Sequence, residues 1–320
     1  MTAIGIDMSK NTFHAAFDEG KVQQFANTTA GIDAFLKVAD QDGMTSHETT
    51  IGVEATGAYH LLFALHLTKS GWRVMIINPL ESYRFATAQS IRKVKNDTRD
   101  ALMLRRMVLA GRGHCFTDTE SVIALKALVM EREGLVGMRA MMKQRNEASA
   151  AKQKAVQGIL HDSRTPIITA INQEIRIIEK KFDTYASETQ KLLRSIPGIG
   201  VSSAATLVAY VGDIKRFSSP EKLTAYIGLD CRVFESGTSV KGKGYISKRG
   251  NGCLRRSLWN AAFIARQKIP YLKTYFDKKR AEGKHYSVAL CAVERKLIHL
   301  IYAIWTRGTP FEVRESTASA

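Results

Sequence analysis

Cysteine and proline are scarce in this sequence, and long apolar runs are absent. The 320 residues include four cysteines and six prolines. The cysteines lie far apart with no C-x-x-C pair, which argues against a zinc site or a disulfide framework and favours a reducing cytoplasm. No stretch reaches the roughly 20 apolar residues of a membrane helix, so no membrane partner is expected. No charged leader followed by an apolar segment indicates export, so we expect a cytoplasmic protein.

Acidic residues are also few relative to basic ones. Lys and Arg number 47 against 30 Asp and Glu, which gives a formal net charge of +17 and a pI near 9.8. This excess favours a polyanionic partner. Because no basic amphipathic anchor is present, nucleic acid is favoured over an acidic membrane surface. Apolar residues make up 45% of the chain, which is enough for a packed core.

Residues 1–118 alternate strand and helix patterns. AIGIDM and TFHAAFD predict a hairpin, and KVQQFAN predicts a third strand beside it. Buried strands are predicted in TTIGVEAT and in WRVMIINP, and helices in the segments that end at Gly71 and Gly111. Hairpin-linked strands followed by alternating helices and strands predict a mixed-sheet α/β domain.

Residues 119–192 lack strand patterns, and apolar residues recur there at helical intervals. Two long helices interrupted by HDSRTP are predicted, either as a plain helical bundle or as an oligomerising coiled coil. Residues 193–320 are predicted to be mostly helical, beginning with two segments around the SIPGIG turn. Gly198 and Gly200 of that turn can expose backbone N–H groups to a phosphate, although an ordinary helix–helix turn fits the spacing equally well.

Four carboxylates occupy positions from which they can converge. Asp7 ends the first strand, Glu54 ends a later buried strand, and Asp97 and Asp100 open a helix on one face. Oxygen ligands at one point suit Mg²⁺. Two such ions roughly 3.5–4 Å apart can activate a nucleophile and stabilise a leaving oxygen. Each acid also has an ordinary explanation as a turn, cap or first-turn residue.

A second candidate site is the basic segment CRVFESGTSVKGKGYISKRGNGCLRR, residues 231–256. Between Ser236 and Arg280 there are 12 Lys or Arg residues and one acid, Asp277. A serine among these cations can attack a phosphodiester because positive charge stabilises the transition state, although a loop serine is more often a turn residue. The basic residues expected to hold a nucleic-acid backbone are Lys241, Lys243, Lys248, Arg249, Arg255 and Arg256.

Five motifs in a fixed order resemble a known family. They are GIDMSK, VEATGAY, NDTRDA, SIPGIG and ESGTSVKGKG. Over nearly its whole length the sequence resembles the recombinases of the bacterial insertion-sequence family numbered one hundred and ten, relatives of the Piv DNA invertases.

This resemblance implies an α/β ribonuclease-H-like domain similar to the RuvC resolvase at residues 1–118. It implies a helical coiled-coil insertion at 119–192 and a mostly α-helical C-terminal transposase domain at 193–320. The implied DEDD metal site takes one or two Mg²⁺ ions, with Mn²⁺ as a substitute. Its residues are Asp7, Glu54, Asp97 and Asp100. The implied serine nucleophile falls on Ser236, with Ser239 in reserve.

The resemblance also implies a function, namely DNA transposition or recombination guided by a structured noncoding RNA, called a bridge or seeker RNA, that pairs with donor and target DNA. Dimers or tetramers exchange strands through a serine–DNA link and a Holliday junction, at the nucleoid. Because the acids and the serine lie in different predicted domains, the site is expected to assemble between domains or between protomers.

The same sequence features are compatible with other functions. They are a Piv-like invertase without guide RNA, a RuvC-like resolvase that uses water, a nucleic-acid-binding protein without catalysis and, least favoured, an actin-like sugar kinase.

Overall fold

A computed structural model describes residues 2–55, 57–89, 96–155, 164–185, 187–232, 235–236, 240–241 and 245–312. The chain divides into two compact units, Met1–Thr119 and Glu120–Ala320. Within these described ranges, no helix is both long enough and apolar enough to cross a bilayer.

The first unit is built on a mixed sheet. Its strands among the described residues are β1 (Thr2–Met8), β2 (Thr12–Ala16), β3 (Val22–Ala26), β4 (Thr49–Glu54), β5 (Arg73–Ile77) and β6 (His114–Cys115). They lie in the order β3-β2-β1-β4-β5-β6. Strands β1, β4 and β5 are parallel to one another, whereas β2, β3 and β6 pair antiparallel with their neighbours. The predicted mixed-sheet α/β arrangement is confirmed.

Helices cover this sheet. They are α1 (Thr29–Gln41), α2 (His60–Lys69), α3 (Pro79–Gln89) and α4 (Asp97–Leu109). The sequence patterns do not predict α3, because they place Pro79 only at the end of the preceding strand. Proline is well tolerated in the first turn of a helix, where its missing N–H has no partner to lose. Strand β6 was also missed, since two residues are too few to show a period.

Five phenylalanines form an aromatic core in the first unit. Phe13 lies at its centre, with ring centroids 4.9 Å from Phe63, 5.4 Å from Phe25 and 5.8 Å from Phe35. Phe17 adds a further contact, 5.7 Å from Phe35. Rings at such separations contribute beyond their buried area, so this cluster ties the β1–β3 hairpins to α1 and α2.

Helix α4 lies against the sheet at two strand glycines. A Cβ atom on Gly5 would stand 2.1 Å from the Ala101 carbonyl oxygen and 2.2 Å from the Arg105 nitrogen. A Cβ on Gly52 of β4 would stand 2.1 Å from Cγ2 of Val108. Neither distance is compatible with a side chain, so glycine at both positions is what allows the helix to approach. Arg105 also links α4 to β1 by a hydrogen bond, because its Nε donates to the Ala3 carbonyl at 3.0 Å.

The second unit is mainly helical. Its helices among the described residues are α5 (Glu120–Ala155), α6 (Arg164–Thr184), α7 (Glu188–Arg194), α8 (Val201–Val211), α9 (Pro220–Ile227), α10 (Gly252–Lys268), α11 (Pro270–Ala281) and α12 (Tyr286–Arg307). The short strands are β7 (Cys231–Arg232), β8 (Glu235–Ser236), β9 (Val240–Lys241) and β10 (Tyr245–Ile246). Strand β7 pairs with β10, and β8 pairs with β9, both antiparallel.

Helices α5 and α6 run antiparallel and share a core with the C-terminal helices. Arg132 on α5 bonds Glu179 on α6 at 2.7 Å, and Arg139, further along α5, bonds Asn172 at 3.0 Å. The buried cluster of this unit combines Leu125, Val129, Ile178 and Phe182 of this pair with apolar residues of α7 to α12. A boundary at residue 192 between an insertion and a C-terminal domain therefore stays a prediction.

Glu294 on α12 is a buried acid within this second core. It is 2% exposed, and its Oε1 has no hydrogen-bond partner within the part of the chain that the structure describes. Burial raises the pKa of Glu294 to about 8, and the charge of Arg255 offsets part of this rise. A buried carboxyl in this position is favoured in its neutral form.

Replacing Gly5 by Ala should disrupt the first unit, because the added Cβ would collide with the α4 backbone. We expect the free energy of unfolding to fall by more than about 3 kcal/mol, which is the upper end of the usual range for overpacked cores. Hydrogen exchange of peptides from β1 and α4 measures it. Gly20→Ala is the matched control, since its Cβ would meet only Asp18 Oδ1 at 3.7 Å. Equal protection in both variants would contradict the close approach.

The buried Glu294 should make stability depend on pH. Its folded pKa of about 8 lies above its ordinary value of 4.5, so the folded state binds the proton more tightly. Stability from this group is therefore largest below pH 4.5 and falls as the pH rises towards 8, by about 1.4 kcal/mol per pH unit. Urea unfolding of wild type and Glu294→Gln isolates the effect, because the variant lacks this slope. Parallel curves for the two proteins would contradict it.

Candidate active site

Asp7 lies on the side of the sheet that faces α4. Successive side chains of a strand alternate between faces, so Asp7 shares a face with Ala3 and Gly5, which pack against that helix. Asp7 is half-buried, and burial is the largest cause that raises its pKa, to about 6. The charges of Asp100, Asp97 and Glu54 raise it further, in that order. The structure therefore brings the four predicted carboxylates into one electrostatic neighbourhood.

Glu54 leaves the sheet beside Asp7. Strands β1 and β4 are parallel with Ile6 opposite Val53, so the residues that follow, Asp7 and Glu54, emerge at the same edge. Oε2 of Glu54 accepts a hydrogen bond of 3.0 Å from Oγ of Ser82. Ser82 is 3% exposed and lies on α3, the helix that the sequence patterns missed. Its hydroxyl lies 3.0 Å from the Pro79 carbonyl as well, so one proton serves both acceptors, and Ser82 contacts the Glu54 carboxylate from within α3.

Asp97 and Asp100 stand in the first turn of α4. Asn96 caps this helix, since its Oδ1 accepts from the Thr98 backbone nitrogen at 3.0 Å. The positive end of the helix dipole stabilises carboxylates in this turn. The side chain of Asp97 is 62% exposed, and its Oδ2 lies 3.7 Å from Nδ1 of His14.

His14 is a further residue beside the four carboxylates, and the sequence patterns do not identify it. It lies on β2, directly opposite Asp7 in the antiparallel register. Its contact with Asp97 and its opposing effect on the pKa of Asp7 make it part of the acidic site. The signal in the sequence was its position one hairpin away from Asp7, which strand pairing converts into proximity.

The donor set suits a hard divalent cation. Four carboxylates lie together, and their repulsion contributes to the raised pKa of Asp7. A cation among them would remove this repulsion. Within the described ranges no three His, Cys, Asp or Glu side chains stand close enough to hold a metal ion as placed. The acids therefore share a neighbourhood without forming a closed ligand cage.

The glycines of the SIPGIG turn have different structural settings. Gly198 has φ of +102°, and a Cβ there would lie 2.5 Å from the Ala261 carbonyl oxygen on α10. Close packing of the turn on α10 therefore accounts for Gly198. Gly200 is the N-cap residue of α8 and has open space around it. Phosphate binding by these glycines stays a prediction.

The predicted serine and basic residues fall in and around the short ladders. Ser236 lies on β8 opposite Val240, and Lys241 lies on β9, but their side chains are outside the described part of the chain. Ser239 and Lys243 also lie outside it. Their predicted roles stay predictions.

The remaining predicted basic residues differ in their surroundings. Lys248 and Arg249 are exposed, and Lys248 adopts a left-handed φ of 54°. Arg255 donates through Nη1 to two backbone carbonyls, at Ile227 and Gly250. Arg256 forms an ion pair of 2.8 Å with Glu133. Both of these arginines thus already bind groups of the protein itself.

Comparison with protein families gives two matches. Residues 4–149 match the DEDD model of IS110-type proteins, described as "Transposase". Residues 190–277 match the "Transposase IS116/IS110/IS902 family". The first match contains all four predicted carboxylates, and the second contains Ser236.

Similar proteins extend over most of the chain. The "Pilin gene-inverting protein" of Moraxella lacunata is 29% identical over 324 residues, which covers 98% of each chain. The "Transposase for insertion sequence element IS1328" of Yersinia enterocolitica is 27% identical and covers 97% of this chain and 98% of its own. The "Transposase for insertion sequence element IS1111A" of Coxiella burnetii is 33% identical, covering 45% of this chain and 39% of its own.

Ser82→Ala should weaken divalent-metal binding, because the Glu54 carboxylate would lose the hydroxyl that orients it. A loss of about 10- to 100-fold in affinity is expected, as for other groups that orient ligands. Calorimetric titration with Mn²⁺ measures it. Thr87→Ala on the same helix is the control, since that hydroxyl bonds only to backbone carbonyls of α3. Equal affinity of the two variants would show that Ser82 does not act on the site.

Proposed function

Since the chain belongs to the IS110 family of transposases, which cut and recombine DNA, we propose that it inserts and excises its own insertion sequence by site-specific recombination through a serine–DNA intermediate. The observation that carries this proposal is the placement of Asp7 and Glu54 at one edge of the sheet, near enough to Asp97 and Asp100 in the first turn of α4 for all three other charges to raise the pKa of Asp7. The net charge of +17 supports a nucleic-acid substrate.

The acidic site would bind Mg²⁺ in this proposal. Asp7, Glu54, Asp97 and Asp100 would hold the ion, Ser82 would orient Glu54, and His14 would stay beside Asp97. Bound Mg²⁺ supplies Lewis-acid polarisation of the scissile phosphate and charge neutralisation at the leaving oxygen. Mn²⁺, with similar preference for oxygen ligands, would substitute for it.

The proposed chemical step is an exchange of one phosphodiester bond for another. Oγ of Ser236 attacks phosphorus, the bond to the 3′ oxygen breaks, and the serine proton passes to that oxygen, which leaves as a hydroxyl. The 5′ phosphate remains on Ser236. A 3′-hydroxyl from the partner strand then attacks, releases the serine and regains a DNA phosphodiester. Because the number of phosphodiester bonds is conserved, no external energy source is needed.

The proposal includes a guide RNA and a multimer. A structured noncoding RNA would pair with donor and target DNA, and strands would pass through a Holliday junction. The antiparallel pair α5–α6 would form the coiled-coil insertion that joins protomers. Exposed apolar residues on α5 support this role: Met130, Met138 and Met141. Acidic and serine sites would then combine between domains or between protomers at the bacterial nucleoid.

A second candidate is a DNA invertase that acts without a guide. The similarity to the pilin gene-inverting protein of Moraxella lacunata over 98% of each chain favours it. Both candidates share the acidic site and the proposed serine, and they differ in how the DNA target is selected.

Ser236→Ala should abolish the covalent intermediate and reduce recombination by more than about a thousandfold, since no other group replaces the nucleophile. Denaturing gels and mass spectrometry of the protein–DNA adduct measure it on a plasmid that carries the element with its native flanks. Ser239→Ala should keep the adduct. Cutting by Ser236→Ala at the wild-type rate would favour the resolvase that uses water, and loss of the adduct only in Ser239→Ala would move the nucleophile to Ser239.

Expression beside its native flanking DNA should yield protein that carries one discrete noncoding RNA from that flank. Sequencing of the co-purified nucleic acid measures this directly. The excess of basic residues predicts a polyanion in the preparation, and only a guide predicts a single species. Mixed cellular RNA, or none, would contradict guidance and support the invertase.

A further inference from the structure

The strand that contains Ser236 belongs to a short two-stranded ladder, which lies in the sequence between the two strands of another ladder. Strands β8 and β9 pair with Ser236 opposite Val240. The chain enters and leaves them through β7 and β10, where Cys231 lies opposite Ile246. In the sequence, β8 follows β7 and β9 precedes β10, so both strands of the inner ladder lie between the paired strands of the outer one.

The base of the outer ladder is closed by Asp230 and Ser247. The Ser247 backbone nitrogen donates to the Asp230 carbonyl at 2.8 Å. The Ser247 hydroxyl also donates to Oδ1 of the Asp230 carboxylate. Ser247 is 4% exposed, so this charge-assisted bond lies away from solvent. The two strands are thus joined by side chains as well as by backbone.

The loop that follows Ser247 rests on the end of α9 through two glycines. Gly228 has φ of +83°, and a Cβ there would lie 2.6 Å from the Gly250 nitrogen. A Cβ on Gly250 would lie 2.0 Å from the Tyr226 carbonyl oxygen. The Lys248 nitrogen donates to the Gly228 carbonyl at 2.9 Å. These approaches hold the outgoing strand of the ladder against α9.

Arg255 on α10 bridges the same two pieces of backbone. Its Nη1 donates to the Ile227 carbonyl at 3.1 Å and to the Gly250 carbonyl at 2.5 Å. The planar guanidinium has several donors in a rigid arrangement, which a lysine cannot reproduce. Arg255 thereby joins α10, the end of α9 and the loop after Ser247.

We propose that Asp230, Ser247 and Arg255 act together as positioning residues, which fix the base of the Ser236 hairpin to α9 and α10. The inference rests on the proposed function, because it assigns the purpose of the arrangement to the serine nucleophile. It gives Arg255 a role other than the phosphate contact predicted from the sequence. We refer to these three residues as the hairpin clamp.

The first measurement tests whether the hairpin clamp protects the neighbouring backbone from hydrogen exchange, and it does not depend on catalysis. Ser247→Ala and Arg255→Lys should each speed hydrogen exchange of the Lys248 amide at least about tenfold, since its bond to Gly228 depends on the clamp. Thr206→Ala is the matched control, because it removes another hydroxyl with 4% exposure whose bond lies within α8. Unchanged exchange in both clamp variants would overturn the clamp.

The second measurement tests whether the clamp positions Ser236, by the rate at which the serine–DNA adduct forms. The same variants should form the Ser236–DNA adduct about 10- to 100-fold more slowly on the plasmid with the native element flanks, because misplacement of a reacting group costs rate. DNA affinity and its salt dependence should stay as in wild type. Asp230→Asn, which keeps an acceptor oxygen for Ser247, should react faster than Asp230→Ala.

The outcomes separate the two proposals. Loss of DNA affinity in Arg255→Ala that Arg255→Lys restores would assign Arg255 to a phosphate and overturn its place in the clamp. Faster exchange with an unchanged adduct rate would overturn the positioning role. Absence of a Ser236 adduct in the wild-type protein would refute the proposed function, and with it the positioning role, while the exchange rates would still decide whether the clamp holds the ladder.

Discussion

The approach of α4 to the sheet at Gly5 and Gly52 is the constraint on which the acidic site depends. Without side chains at these positions, the backbone of α4 lies against Gly5 and the Val108 side chain lies against Gly52, so the helix approaches β1 and β4 closely. Asp7 follows Gly5 by two residues, and Asp100 precedes Ala101, the residue whose carbonyl faces Gly5. The same contact that packs the helix therefore brings these two carboxylates together. The geometry of the acidic site and the core of the first unit therefore have one common origin.

Placing several carboxylates close together is electrostatically unfavourable, and other interactions of the fold compensate for it. Burial and three neighbouring carboxylates raise the pKa of Asp7 to about 6, so the site disfavours its own charge. The aromatic core, the Arg105 hydrogen bonds and the helix dipole offset this cost, while Ser82 donates to Glu54 and His14 lies beside Asp97. Such unfavourable local arrangements are typical of active sites. The acid cluster, in an IS110-family transposase domain with a ribonuclease-H-like fold, indicates divalent-metal use.

Much of this site could be predicted from the sequence because strand ends and helix starts are local signals. Asp7, Glu54, Asp97 and Asp100 each stand at such a boundary, and the mixed sheet follows from the order of the patterns. Ser82 and His14 could not be found in that way, since their roles arise from pairing between distant segments. Gly198 fits both a phosphate-binding turn and an ordinary helix–helix turn in the sequence, and its packing against Ala261 explains the glycine while phosphate binding stays a prediction. The assignment of the nucleophile to Ser236 came from family resemblance alone, because no local pattern distinguishes a nucleophilic loop serine from a turn residue.

The most direct test of the account is to locate the cation along the chain. Fe²⁺ bound in place of Mg²⁺, with peroxide and ascorbate, generates hydroxyl radicals that cut the backbone near the ion. The account predicts cuts in three separate stretches, around Asp7, around Glu54 and around Asp97 to Asp100, all suppressed by excess Mg²⁺ and lost in Asp7→Ala. Cutting at one stretch only, or a pattern that Asp7→Ala leaves unchanged, would contradict a shared metal site formed by the four acids.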